Sequence, residues 1–141
     1  MSARVFIDTN VLMYCMDAND AAKRAKALEL ISRLGAANRL VFSTQVFQEA
    51  YSALTRKLGV SGSAAERPLR ALSGHPMVRT DQPLLWAAMQ RHQKDGVPWY
   101  DALIVEAALA GKCHILASED FQHHRQFGTL RVINPFTEDI V

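Results

Sequence analysis

Apolar residues along the chain fall into two kinds of run. Short, mainly apolar runs stand at Val5–Ile7, Leu40–Phe42, His114–Ala117 and Leu130–Ile133, with a minimal one at Met77–Arg79. Runs of this length, bounded by polar or turn residues, predict strands buried on both faces, as parallel sheets require. Between them, apolar residues recur at helical spacing. Val11–Met16 reads as a short helical turn. Asp20 reads as the N-cap of a helix to about Leu34, with Ala21, Ala25 and Leu28 on one face and Gly35 as its stop. Ser43 or Thr44 opens a helix that ends at Gly59 and carries Phe47, Ala50, Tyr51, Leu54 and Leu58 on its apolar face. Ser63-Ala-Ala-Glu66 has the form of a capping box for a short helix ending before Gly74 and Pro76. Asp81 caps a helix through Leu84, Leu85, Ala88 and Met89, closed by Asp95-Gly96. His92 falls on that inward face and reads as a core or rim residue. Pro98 at the first helical position and Gly111 at C′ bracket a helix over 98–110. Trp86 and Trp99 read as core residues.

Strands alternating with helices, with no hairpin signal between the early strands, predict an α/β fold around a mostly parallel sheet. The chain shows no internal repeat, low-complexity segment or linker, and Gly59–Ser63 is too short to separate domains. Residues 1–141 are therefore expected to form a single domain.

Composition narrows the class. Hydrophobic residues make up 49% of the 141 and charged residues 21%, ordinary globular usage that excludes a disordered, collagen-like or coiled-coil chain. No apolar run approaches the ~18 residues of a membrane span. Asp8 interrupts the apolar stretch after Arg4, unlike a signal peptide, and the two cysteines, Cys15 and Cys113, are too few for a disulfide framework; cytoplasmic residence is the expectation. The net charge is only +2, from 16 Lys and Arg against 14 Asp and Glu. If four acids gather at one site, ten acids face sixteen bases elsewhere, and a polyanion would feel that excess.

The motifs for phosphate-binding loops, dinucleotide folds, serine hydrolases and zincin-type zinc sites are absent, which leaves the acids. Asp101 lies within about 60° of Ile104, Val105 and Ala108 on its helical wheel, on an almost wholly apolar helix. A carboxylate there costs several kcal/mol unless something satisfies it, a cation or a helix-terminal N–H. It is equally a first-turn acid favoured by the helix dipole. Glu106, about 140° away, reads as solvated. Asp8 ends the first strand and Asp120 follows another. In open parallel sheets ligands bind beyond such carboxyl ends, and a turn or cap role is the alternative for both. Glu49 lies off the apolar face, in a polar stripe with Gln45, Ser52 and Arg56, and its plain reading is a solvated carboxylate. Lys23, Arg24, Lys26 and Arg33 read as a solvated helix face, with phosphate binding as the alternative. His123 and His124 are adjacent and are expected to point different ways rather than act as ligands.

Taken together, the strings FIDTNVLMY around Asp8, FQEAYSAL around Glu49, WYDALIVEAAL around Asp101 and ILASEDF around Asp120 resemble the PIN-domain family, particularly the VapC-type toxins of bacterial toxin–antitoxin pairs. Their order and spacing run over essentially the whole chain. The resemblance implies a three-layer α/β/α sandwich around a mostly parallel sheet, with the acids meeting at one edge. It implies a ribonuclease that uses Mg²⁺ or Mn²⁺, with Asp8, Glu49, Asp101 and Asp120 as its catalytic acids and Thr9, Asn10 and Ser118 as supporting polar residues. Asp8, Asp101 and Asp120 are the expected metal ligands. Glu119 sits beside the expected fourth acid, but Asp120 fits better. Oxygen-only ligation suits these ions, since several carboxylates in one cleft repel unless a divalent cation neutralises them. The expected partners are an RNA substrate, a cognate antitoxin and a second copy in a homodimer, with no membrane. Two other classes stand beside this one. In a haloacid-dehalogenase-like phosphatase a second acid two residues after Asp8 would fall at Asn10, which argues against it. A non-catalytic RNA- or protein-binding module is disfavoured by the intact acids.

Overall fold

Val5–Ile7 (β1) lies at the middle of a six-stranded sheet in the computed structural model, which describes residues 3–141. The chain continues through α1 (Thr9–Tyr14), α2 (Ala21–Ala36), β2 (Leu40–Ser43), α3 (Thr44–Arg56), α4 (Gly62–Ala71), β3 (Met77–Val78), α5 (Gln82–Asp95), α6 (Trp99–Ala110), β4 (Ile115–Ala117), β5 (Gln126–Phe127) and β6 (Leu130–Ile133). The strand order is β3-β2-β1-β4-β6-β5, all pairs parallel except β5 with β6. The expected α/β sandwich around a mostly parallel sheet is thus present. Val5, Phe6, Ile7, Val41, Phe42, Leu116 and Ala117 are fully buried. Each large side chain among them contributes roughly 1.5–3 kcal/mol relative to exposure.

The order of the strands positions the site. From β1 the chain goes to β2 on one side, and β4 comes to lie on the other. The ends of β1 and β4 therefore flank the point where the winding reverses, the crevice in which open α/β sheets bind ligands. Two strands run into helices with no intervening loop. Asp8 follows β1 and N-caps α1, its side chain accepting from the Thr9 N–H. Ser43 ends β2 and N-caps α3, its hydroxyl accepting from the Val46 N–H at 3.2 Å.

Several boundaries differ from the sequence pattern. Ser63–Glu66 is not a capping box: α4 starts two residues earlier, and Ser61 is its N-cap, accepting from the Ala64 N–H. Helix α3 ends at Arg56, before Gly59. Gly35 does not stop α2, and Gly111 is not the left-handed C′ residue of α6. Those left-handed positions belong to Asn38 (φ 56°) and Lys112 (φ 58°). Gly111 is needed for proximity instead: a Cβ there would stand 2.9 Å from Val41 Cγ1 and 3.2 Å from Val78 Cγ2, where the end of α6 meets the sheet. The β5–β6 hairpin carries no recognisable strand pattern in β5. It turns through Gly128 at φ 62°, a conformation that favours glycine.

Several side chains also depart from expectation: Leu28 and Tyr51, placed on the apolar faces of α2 and α3, are exposed, and α2 buries Ala27, Leu30 and Leu34 instead. Trp86 is exposed on α5 rather than in the core, while Trp99 packs partly buried against it. His92 is exposed and its Nδ1 meets the Val97 carbonyl at 2.7 Å across the end of α5. Glu106 is not free in solvent: Arg91 of α5 donates to it at 2.6 Å, tying α5 to α6.

Candidate active site

Four carboxylates converge at the carboxyl edge of the sheet, each delivered by a different element. Asp8 comes from the end of β1, Glu49 from the second turn of α3, Asp101 from the first turn of α6 and Asp120 from the segment after β4. All four line one cleft of about 850 Å³.

The hydrogen bonds explain why these residues stay together. Asp8 is 6% exposed, and its two oxygens are separately held. Oδ1 accepts from the Thr9 N–H at 2.7 Å; Oδ2 accepts from Ser118 Oγ at 2.7 Å and Asn10 Nδ2 at 3.3 Å. Asn10 is the hub of the group. Its Nδ2 also donates to Asp120 Oδ2 at 3.0 Å, and its Oδ1 accepts the Glu119 N–H at 3.2 Å. Ser118 Oγ, fully buried, accepts the Asp120 N–H at 3.1 Å. Thr9 Oγ1 donates to Glu49 Oε1 at 2.8 Å, joining α3 to the group. Thr9, Asn10 and Ser118 thus supply the side-chain hydrogen bonds that link Asp8, Glu49 and Asp120. Asp101 alone among the four acids has no hydrogen-bond partner among the described residues.

This crowding raises proton affinity. Burial pushes Asp8 up to about 6, against the hydrogen bonds from Ser118 and Thr9, and the charges of Asp120 and Glu49 push the same way. Asp101 is raised as well, first by burial, then by Asp120 and Glu49, with Arg125 pulling it back. Arg125, which the sequence pattern did not single out, is held with its guanidinium 4.6 Å from the Phe127 ring.

Glu119 and Asp120 part ways despite being adjacent. Glu119 accepts from the Tyr14 hydroxyl at 2.6 Å and pairs with Lys23 Nζ at 2.8 Å. Its charge is balanced at the rim, whereas Asp120 stays with Asp8 and Asn10. Lys23 accordingly belongs to an ion pair and not to a free solvated face. Glu49, whose plain sequence reading was a solvated carboxylate, is half-buried in the cleft wall. The polar stripe that contains it, with Gln45, Ser52 and Arg56, is that wall. Gln45 is buried, and its Nε2 donates to the carbonyl of Tyr100, the residue before Asp101, at 3.3 Å.

His123 and His124 do not diverge as adjacency suggested. His124 takes a left-handed φ of 70°, which folds its ring over that of His123 with centroids 3.7 Å apart. Both Nε2 atoms face Glu138 Oε1, at 3.4 and 2.7 Å. His123 Nδ1 accepts the Asn134 N–H at 3.0 Å, so the proton of the neutral ring sits on Nε2 and faces Glu138. The three side chains clasp the loop after Asp120 to the C-terminal segment.

Comparisons with known proteins were made against this geometry. The PIN domain family model matches residues 5–127. A search of curated protein sequences finds no match. Among solved structures, a toxin–antitoxin complex from Klebsiella pneumoniae aligns over 93% of this chain and 97% of its own, with a TM-score of 0.69 and 17% identity. VapBC2 from Rickettsia felis, bound to a DNA fragment from its promoter, aligns over 91% and 96% with a TM-score of 0.64 and 14% identity. VapC20 of Mycobacterium tuberculosis, a toxin that cleaves the sarcin–ricin loop, aligns over 79% and 86% with a TM-score of 0.60 and 20% identity. At these identities the likeness is one of fold.

Proposed function

Because the chain belongs to the PIN domain family, we propose that it is a divalent-metal-dependent endoribonuclease acting as the toxin of a toxin–antitoxin pair. The observation that carries this reading is the convergence of Asp8, Glu49, Asp101 and Asp120 in one cleft, on four elements. The donor set fits Mg²⁺ or Mn²⁺. It is all oxygen, and the charges of Asp120 and Glu49 raise the proton affinity of Asp8 and Asp101, a repulsion that a dication relieves. Asp8, Asp101 and Asp120 would hold the ion. Bound there, it supplies a Lewis acid for a phosphoryl oxygen and a more acidic water.

The chain's own residues supply the rest. Ser118 and Asn10 hold the Asp8 carboxylate in place, and Asn10 sets Asp120 beside it. Glu49, fixed through one oxygen by Thr9, has its other oxygen available to orient an attacking water. In-line attack on phosphorus then leaves a 5′-phosphate and a 3′-hydroxyl. Gln45 ties α3 to the start of α6 and so keeps Glu49 and Asp101 in register.

A free ribonuclease needs an inhibitor, and two of the structural neighbours are toxin–antitoxin assemblies. We therefore extend the reading to an antitoxin that places an Arg among the acids, where its planar guanidinium pairs with carboxylates in a bidentate fashion. Among the described residues no helix is long and apolar enough to cross a membrane. The reading places the protein in the cytoplasm with its RNA.

The deciding experiment incubates purified protein with mixed cellular RNA, with and without chelator, then restores Mg²⁺ or Mn²⁺. Metal-restored cleavage giving 5′-phosphate ends supports the reading. Full cleavage in excess chelator, or none with either metal, overturns it.

A further inference from the structure

The cleft is charged unequally along its length. The four acids occupy one part of it. Where α3 ends, its lining includes Arg56 and Lys57, the cleft's cationic residues. Both are exposed, and neither forms an ion pair among the described residues. Helix α3 connects the two regions. Glu49, Ser52 and Arg56 follow one another at spacings of three and four on one face. Arg56 stands about two turns past Glu49, roughly 10 Å along the axis. A cation near a helix C-terminus complements the dipole from any side of the helix. That does not account for two adjacent unpaired cations lining the same cleft as the acids.

We propose that Arg56 and Lys57 anchor two adjacent RNA backbone phosphates remote from the one being cut, so that the strand lies along α3 with its scissile phosphate at the acids. This inference rests on the nuclease reading. Electrostatics favour such an anchor. Four carboxylates with one dication still leave the reacting end net negative, and the two cations of the cleft lining offset that repulsion beside the RNA path. The Arg56 guanidinium can grip two phosphate oxygens at once, and Lys57 adds a mobile point charge. Ser52 and Gln48, which also line the cleft between the two ends, offer uncharged hydrogen-bonding groups along the path.

The test uses the full chain carrying Asp101→Asn, so that RNA survives, and a fluorescent single-stranded RNA oligonucleotide in Mg²⁺, with binding read by anisotropy over a salt series. Adding Arg56→Gln and Lys57→Gln should weaken binding at low salt about tenfold or more. It should also make the slope of log affinity against log salt shallower by about 1.4, the loss of two phosphate contacts on a single strand. Arg67→Gln with Lys94→Gln removes the same charge outside the cleft and should leave the slope unchanged. Thermal melts confirm that each variant is folded. An unchanged slope in the cleft variant, or an equal loss in the control, overturns the proposal. So does an unchanged RNA slope accompanied by weaker inhibition by a protein partner, which would assign the cations to that partner. Failure of the nuclease reading looks different: wild-type protein would not cleave RNA with metal, whatever the salt slopes show.

Discussion

Ser118 Oγ donates a 2.7 Å hydrogen bond to Asp8 Oδ2 between two buried residues that lie 110 positions apart in the chain. The bond crosses from the end of β4 to the end of β1 and joins the two sides of the point where the sheet's winding reverses. Ser118→Ala would remove this donor and also the acceptor of the Asp120 N–H. The expected cost is about 1–3 kcal/mol by denaturant titration, the usual penalty for leaving buried polar groups unpaired. Affinity for Mn²⁺, followed by calorimetry, should fall with it. A variant as stable as wild type with unchanged metal affinity would show that the bond neither supports the fold nor orients Asp8.

Asp8 sets a pH dependence. Its carboxyl rises from 3.8 to about 6 on folding, chiefly through burial. The folded state then binds the proton more tightly than the unfolded state, so stability falls as pH rises from about 4 through 6. Metal-free protein should therefore gain about 1 kcal/mol on acidification from pH 7 to pH 5 from this group. Saturating Mg²⁺ should reverse the trend, because the ion competes with the proton and favours the ionised cleft. Thermal melts in chelator and in metal across that range test both halves. A metal-free melting temperature that drops on acidification would contradict the assignment.

Asp101→Asn separates a ligand from a helix-terminus acid in one protein. It preserves volume and removes a charge that crowds Asp120 and Glu49. With Asp101 as a metal ligand, cleavage should fall by orders of magnitude while the metal-free melting temperature holds or rises. Were Asp101 only a first-turn acid, activity would persist and stability would drop by about 0.3–1 kcal/mol.

Glu119 and Asp120 should respond oppositely to the same substitution. Asp120→Asn should abolish cleavage. Glu119→Gln removes the partner of Lys23 at the rim and should leave cleavage within a few-fold of wild type. Comparable losses in the two variants would mean that the ion pair with Lys23 opens during the reaction.

Gly111→Ala should destabilise the fold by roughly 1–3 kcal/mol without a direct effect on metal binding. The added methyl would meet Val41 Cγ1 at 2.9 Å in the packed layer between α6 and the sheet. Chemical denaturation and a metal titration on the same sample separate the two effects.

What the sequence determined by itself was local. The unbroken run Val5–Ile7 and the cap at Ser43 each encode an element within a dozen residues or so, because burial pattern and hydrogen-bond capping act between near neighbours. Asp8 and Asp101 stood out for the same reason: each interrupts or borders an apolar run where a charge needs an explanation. The fate of Glu49, Glu119, Lys23 and the histidine pair was decided only in three dimensions. Glu49 lies off the apolar face of its own helix, and only the approach of Thr9 from α1 turns that outer face into a cleft wall. Lys23 finds Glu119 across 96 positions, and His123 and His124 meet Glu138 through one left-handed residue. Gly35 and Gly111 looked like helix stops because glycine usually serves there, yet α2 runs on past Gly35, and the missing side chain of Gly111 lets α6 approach Val41 closely. Such contacts depend on which strands become neighbours, and strand order is set by the packing of the whole sheet, which no local stretch of the chain carries.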